Sequence, residues 1–398
     1  MYRSPIPLPT GGIDQISDDL AIPAGFARRI ENVVISSNGV FSRRKGRAVV
    51  RPGYGFHSIA ETDHGILVGK GNGLFRIHPD SGAPELLGFI ENQYQPLDFT
   101  GYNGNTYIAG ASGVWWIPAE HDTLLPCGVS LPDTKPAISA HENGALPAGH
   151  YAVAMSVVSP WGEESPLLPL GQVALESGGG IMLSGISGME IDYSINVYLT
   201  QESGGAYYLA EKFSAAFSQY LVGTFPDGAI AETQHLKPLP GGQYIRGRAG
   251  RLYVAQGNTL WFSNPMRPHL CDAAHGYIQF AGDIRFIEPI TTGLLVADSR
   301  GVWLVEGDDP VSARLRLISP TPVMAGSSIR LPASTSLRTS LASAAVIWLS
   351  SDGYMVATET AETECINSKR ARIDVSGRGK TVLTDIHGTT QVITLTAL

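Results

Sequence analysis

Ile66 to Gly88, ILVGKGNGLFRIHPDSGAPELLG, lies without a gap on Thr106 to Gly128, TYIAGASGVWWIPAEHDTLLPCG, 40 residues further on. The same core returns as LYVAQGNTLWFSNP at Leu252 to Pro265, as LVADSRGVWLVEG at Leu295 to Gly307 and as VIWLSSDGYMV at Val346 to Val356. Each copy is a short apolar run, a polar turn and a second apolar run with an aromatic near its start. Gly73, Gly113, Gly301 and Gly353 share one turn position, where the third copy has Thr259. Phe75, Trp115, Trp261 and Trp303 coincide as well, with Met355 in the fifth copy. Runs of β-branched and aromatic residues around a Gly-bearing turn are strand-turn-strand signals, and Gly is the residue that accepts a positive φ there. One hairpin cannot bury its own apolar face, so copies must stack on one another. A period near 40 residues with about four strands per unit predicts an all-β chain built as a β-propeller.

The 398 residues suffice for such a ring plus an insert. Charged residues make up 16% and the net charge is −8, which argues against a general nucleic-acid coat. The 46 Gly and 26 Pro are spread along the chain and read as many turns. No window approaches the roughly 18 apolar residues of a membrane helix, and MYRSPIPLPTGG at the start has no apolar signal-peptide core. Cys127, Cys271 and Cys365 are far apart and odd in number, so free buried thiols and a reducing site of synthesis are expected.

In chain order, 1–27 reads as an extended N-terminal arm and 28–132 as the first part of the propeller. It opens with a hairpin at Ile30 to Val50 that turns on Asn38-Gly39. The repeat then stops, and 133–239 has its own alternation, with Tyr151, Val153, Met155 and Val157 in one run and Ile195, Val197 and Leu199 in another. Short alternating strands over about 100 residues suggest an inserted β-sandwich. Its stretch Leu146 to Leu167, LPAGHYAVAMSVVSPWGEESPL, resembles fibronectin type III domains, without the Cys…Trp…Cys core of immunoglobulins. Residues 240–398 resume the ring. The tail from Arg372 gives one more hairpin, too short for a blade. Pairing of Thr381–Thr396 with Ile30–Val50 would close the ring as a composite sixth blade, with five or seven blades as alternatives.

The search for chemistry gives little. Gly379-Lys380-Thr381 matches only the end of a phosphate loop, with Asp374 where the first Gly belongs. Gly69 to Gly73 is Gly-rich inside a hairpin and reads as a turn. The nucleophile elbow and HExxH are both absent from the sequence. His269, Asp272 and His275 are close enough in sequence for a metal cluster, but the stretch reads better as a structured inter-strand loop. Ser351-Asp352-Gly353-Tyr354 is similar to a sialidase Asp-box turn, yet the other copies do not repeat it. Arg43, Arg44, Lys45 and Arg47 form a basic run, with Arg43, Lys45 and Arg47 on one face of a strand and Arg44 on the other. Such a run keeps a face solvated, and in a ring it also suits an acidic partner or DNA.

The opening, with Gly11-Gly12, Pro23, Ala27, Asn32 and Arg43-Arg44-Lys45-Gly46, resembles the start of many tailed-bacteriophage virion proteins, as does the segment Leu252 to Phe280. A propeller interrupted by a fibronectin-like insert is similar to the propeller-based tail hub and nozzle proteins of short-tailed phages. The resemblance implies a non-enzymatic structural subunit without cofactor or metal. It would be made in the host cytoplasm and placed in the virion tail as nozzle, head-to-tail connector or tail-tip protein. Its partners would be other tail proteins (portal, adaptor, tube or fibre) and copies of itself in a cyclic ring, sixfold or else threefold. Transient contact with packaged DNA would fall on the basic run. The alternatives are a receptor- or carbohydrate-binding propeller and, third, a propeller glycoside hydrolase using paired carboxylates.

Overall fold

The structure, a computed structural model, describes residues 9–35, 40–44, 49, 52–91, 95–187, 189, 191–201, 204–335, 337, 340–341, 343–366, 370–386 and 389–397. Every regular element among them is a β-strand. The repeat forms five four-stranded antiparallel meanders in a propeller-type layout. Sheet one is Phe56–Thr62, Gly65–Lys70, Gly73–Ile77 and Pro84–Phe89. Sheet two is Asp98–Tyr102, Asn105–Gly110, Gly113–Ile117 and Leu125–Pro126. Sheet three is Tyr244–Arg248, Arg251–Gln256, Thr259–Phe262 and Tyr277–Gln279. Sheet four is Phe286–Ile290, Gly293–Asp298, Gly301–Glu306 and Arg314–Ser319. Sheet five is Ile329–Arg330, Val346–Ser350, Gly353–Ala357 and Thr363–Cys365. From sheet one to sheet four, the first strands of successive sheets lie side by side.

Cross-strand register explains why the aromatics recur. Partners across a ladder share a face. In sheet two Phe99, Ile108 and Trp115 form one such row, and it packs with Leu67 and Leu74 of sheet one. Ile245, Val254 and Trp261 of sheet three pack in the same way on Tyr107 and Trp116 of sheet two. Sheet four turns Ile287, Val296 and Trp303 onto sheet three, and sheet five turns Trp348 and Met355 onto sheet four. The aromatic position therefore faces the preceding sheet each time, and the 40-residue period is a period of sheet-on-sheet packing.

The glycines are needed for two different reasons. Gly301 and Gly353 have φ of 147° and 119°, and a Cβ on Gly301 would lie 2.0 Å from the Ser319 carbonyl oxygen. In sheets one and three the positive φ belongs instead to Gly71 and Gly257, at 61° and 57°. Gly73 starts its strand under the Phe75 ring, where a Cβ would approach to 2.7 Å. The shared Gly is thus a close-approach residue in some copies and a turn residue in others.

Between sheets two and three the chain forms two further sheets. One is Ala137–Leu146, Gly179–Ser184 and Gln219–Val222; the other is Leu168–Leu175, Gly149–Val158, Ser194–Thr200 and Tyr207–Ser214. Their alternating residues, among them Tyr151, Val153, Met155, Ile181, Leu183, Ile195 and Val197, enclose one core. The linker back to the ring is itself structured. Leu236–Pro238 pairs with Leu270–Asp272, and the Lys237 ammonium sits 3.6 Å over the Trp261 ring. At the joint, His269 Nε2 meets the Glu164 carbonyl oxygen at 2.9 Å, and the Gly128 amide donates to Glu163 at 3.2 Å. Trp161 packs edge-on to Trp116 there.

The terminal segments differ from the expected composite blade. The hairpin Arg378–Ile386 with Thr389–Ala397 pairs its two strands with each other, and Val33–Ile35 pairs with Phe41–Arg43. Among the described residues no ladder joins the two hairpins. The turn at Asn38-Gly39, residues 45–48 and 50, and the His387-Gly388 turn lie outside the described residues. The ends of the chain meet elsewhere: Asp14 accepts from Arg370 at 2.5 Å, and Gln15 bonds the backbone of Arg370 and Arg372. The buried Asp14 carboxylate takes a charge-assisted bond from Arg370, and this ties the two ends of the chain together here. The thiols are also less uniformly buried than expected: all three are free, but only Cys271 is fully buried.

Burial at the joint pushes the Glu163 carboxyl up to about 7 from its ordinary 4.5, against the opposing Gly128 hydrogen bond. A carboxyl raised in this way contributes most to stability below its ordinary value, and that contribution is lost as pH rises through 7. His269 beside it is shifted down by burial and acts with the opposite sign. Glu163 lies 3.6 Å from His269 Nδ1, so comparing Glu163→Gln with the parent reads the Glu163 contribution together with its influence on His269. Relative to the parent, the variant should gain stability progressively between pH 5 and pH 8 in urea unfolding, by on the order of 1–3 kcal/mol. A difference that does not vary with pH contradicts the buried-carboxyl account.

Candidate functional site

The inner strands converge on Arg246 of sheet three. Its guanidinium donates to Asp98 of sheet two at 2.6 Å and, through Nε and Nη2, to both oxygens of Glu288 of sheet four at 3.1 and 2.9 Å. Asp98 also accepts the Ile245 amide at 3.0 Å, and Glu288 accepts the Ser328 hydroxyl beside sheet five at 2.8 Å. One cation thus links three successive sheets, and Ser328 carries the network to the edge of the fifth. Glu288 and Asp98 side chains are 3% and 9% exposed. Burial alone disfavours the Arg246 charge, but Asp98 and Glu288 outweigh it and hold the guanidinium protonated. The network is satisfied, so it offers neither a free acid nor a free base, and its chemistry is that of a clamp.

Beside this network opens a cleft of about 750 Å³ between sheet one and the C-terminal hairpin. One wall is the face of sheet one that points away from sheet two. Ile59, Val68, Phe75 and Leu86 form one cross-strand row on it, and Glu61, Ile66, Ile77 and Pro84 form the next. The opposite wall is the face of the C-terminal hairpin carrying Lys380, Val382, Ile393 and Leu395. The hairpin's other face, with Leu383 and Val392, is packed on sheet five, and Tyr354 and Thr394 join hydroxyls at 2.8 Å. The hairpin therefore stands between sheet five and the open face of sheet one, with two strands where each repeat sheet has four. Phe75 occupies the position whose counterparts are packed on a preceding sheet. Much of that face is open instead: Ile59, Leu86 and Phe89 are 59%, 46% and 67% exposed.

Of the basic run, Arg43 ends the strand Phe41–Arg43 and pairs in register with Val33, while the Arg44 amide donates to the Asn32 carbonyl. Both side chains are exposed, and neither has an ion-pair partner among the described residues. Lys45 and Arg47 lie outside the described residues. His269, Asp272 and His275 do not come together as ligands. His269 is buried at the joint, whereas Asp272 accepts the Ala274 and His275 amides at 2.7 and 2.9 Å as a turn cap. No group of metal-ligating side chains occurs among the described residues. Asp352 lies in the turn of sheet five, where its carboxylate meets Ser351. Gly379 to Thr381 lies on a strand, with the Thr381 hydroxyl given to the Ser327 carbonyl. Sequence reasoning missed the Arg246 network. A signal was present: Arg246 and Glu288 are 42 residues apart, close to the repeat, and hold the same place in successive first strands.

No family model matches the chain, and no curated protein matches it. Solved structures do. BBS1N in complex with ARL6DN is 12% identical over 83% of this chain and 84% of that one, with a TM-score of 0.32. The Neurospora crassa Pan2 WD40 domain is 10% identical over 83% and 82%, with a TM-score of 0.29. Apo AztD from Citrobacter koseri is 12% identical over 92% and 95%, with a TM-score of 0.26. Such values concern the general layout of the sheets, and the blades described above rest on this chain's own strand pairing.

Replacing Arg246 with Ala leaves two buried carboxylates without their cation, and should cost about 3–5 kcal/mol in chemical unfolding. The combined change Arg246→Met, Asp98→Asn and Glu288→Gln removes the charges together and should recover most of that loss. A single Ala variant with an unchanged midpoint contradicts the clamp.

Proposed function

We propose that this chain is a non-enzymatic structural subunit of a tailed-bacteriophage tail, working by assembly into a ring around the tail channel. The observation that carries the reading is the uncovered apolar face of sheet one opposite a two-stranded sixth sheet. A soluble subunit that kept these residues in water would be prone to association, and contiguous apolar faces of this kind mark protein contacts. The C-terminal strand Thr389–Ala397, TTQVITLTA, adds to this. It is a nine-residue edge without Lys, Glu or Pro, the residues that usually protect an edge from pairing.

On this reading the complete ring has six blades, and the insert is a fibronectin type III-like sandwich that projects toward other tail proteins. The N-terminal resemblance to phage virion proteins favours the tail as the location, in the virion after synthesis in the host cytoplasm. Identical subunits that meet head to tail close into cyclic rings. Sixfold order suits a position near the portal, and threefold order a position at the tip. Asp98 on the cleft and Glu288 beside it are both held by Arg246, which supports this reading over a hydrolase using that pair.

Purified virions of the phage that encodes this chain should contain it in fixed copy number, detectable by mass spectrometry. The isolated protein should release no sugar from host surface glycans. Its absence from virions, or glycan turnover that disappears in Asp352→Asn, contradicts the proposal.

A further inference from the structure

We infer that the sixth sheet is completed by the N-terminal hairpin, Val33–Ile35 with Phe41–Arg43, of a second copy of this chain. The inference rests on the assembly reading above and names the contact by which copies would join. Three observations point to this occupant.

The first is strand number. Each of the five sheets has four strands, the C-terminal hairpin supplies two, and the N-terminal hairpin has two that pair only with each other among the described residues. An isolated two-stranded hairpin is marginal in water. Among the described residues of its own chain, this one pairs with no other sheet edge and joins no apolar core.

The second is the pattern of its faces. Register and alternation put Val33, Ile35, Phe41 and Arg43 on one side of the hairpin. That side is apolar with one cation at its end. The open face of sheet one presents Ile59, Ile66 and Leu86, with an anion, Glu61, at one end and Lys70, laid 5.2 Å over the Phe56 ring, at the other. The two faces match in apolar character, and Arg43 at the end of one is opposite in sign to Glu61 at one end of the other.

The third is that both charges are unused. Arg28 and Arg29, earlier in the arm, are engaged by Asp19 and Glu31. Arg43 and Glu61 have no ion-pair partner among the described residues, and both are exposed. Copies that each carry a net charge of −8 repel, and Arg43 of one copy meeting Glu61 of the next would reduce that repulsion at this point of the contact. The geometry is head-to-tail: the hairpin of one copy extends the half-sheet of the next and covers its Ile59 and Leu86. The open face of that copy is then filled, and its own hairpin is passed on.

A charge exchange between copies tests this. Arg43→Glu and Glu61→Arg are each exposed changes, and circular dichroism with thermal melting checks that each variant folds like the parent. Sedimentation velocity on the full chain should show concentration-dependent self-association, weakened about tenfold or more in either variant alone. An equimolar mixture of the two variants should regain association to within about threefold of the parent. In that mixture one contact joins the two substituted side chains, opposite in charge with their places exchanged, and the next joins native Arg43 to native Glu61. Four results overturn the inference: a parent chain that stays monomeric at high concentration, single variants that associate like the parent, single variants that weaken without rescue on mixing, or an Arg43→Glu effect confined to DNA binding. Virion content is measured separately, so a chain present in virions but lacking rescue loses this contact and keeps the proposed function.

Discussion

The guanidinium of Arg246 is the point at which separate sheets become one ring. Four-stranded meanders are each locally complete, and their sheet-on-sheet cores could in principle slide past one another. A planar fork that donates to Asp98 on one side and to both oxygens of Glu288 on the other fixes the angle between three successive inner strands. Ser328 extends the same network to the fifth sheet. Charge this deep is costly unless every member is partnered, so the network contributes orientation more than net stability. The rim repeats the principle with simpler parts. His64 reaches Thr106 of the next sheet, Tyr102 accepts the Gly250 amide, Arg248 donates to the Ile290 carbonyl, and Glu359 accepts from Thr291. In each of these four pairs a polar side chain near a strand end bonds to the neighbouring sheet.

Much of this could be read from residues. The gapless match of Ile66–Gly88 with Thr106–Gly128 gives the meanders because an identical hydrophobic period must produce an identical face. The shared aromatic gives the direction of packing, once Trp115, Trp261 and Trp303 are seen to turn toward the preceding sheet. The alternation at Tyr151 to Val157 gives the core of the insert in the same way. What stayed hidden depends on distances that sequence does not carry. Pairing between terminal hairpins was a reasonable expectation from their shortness, but shortness does not say which edge a strand meets. The tether is made instead by Asp14, Gln15, Arg370 and Arg372, residues without any periodic signature. The Gly73 position shows the same limit: sequence gives a small residue, and only the ring of Phe75 above it gives the reason.

The molecule is thus closed along four sheet-to-sheet interfaces and left open at a fifth place. Sheets one to four each bury the aromatic row of their successor. Sheet one has no full predecessor, so Phe75 and its row remain against half a sheet. This asymmetry is built in by the chain: the repeat begins with a complete unit and ends with a hairpin. The proposed donor hairpin and acceptor face would give the subunit the polarity that head-to-tail assembly requires.

Amide hydrogen exchange on the dilute chain and on its assembled form tests the open sixth sheet most directly. The account predicts rapid exchange in Val33–Ile35, Phe41–Arg43 and the outward amides of the C-terminal hairpin when dilute. Those amides should become protected together on assembly, while Asp98–Tyr102 and Tyr244–Arg248 stay slow throughout. Strong protection of the two hairpins in the dilute monomer, or assembly that leaves them unprotected, would contradict it.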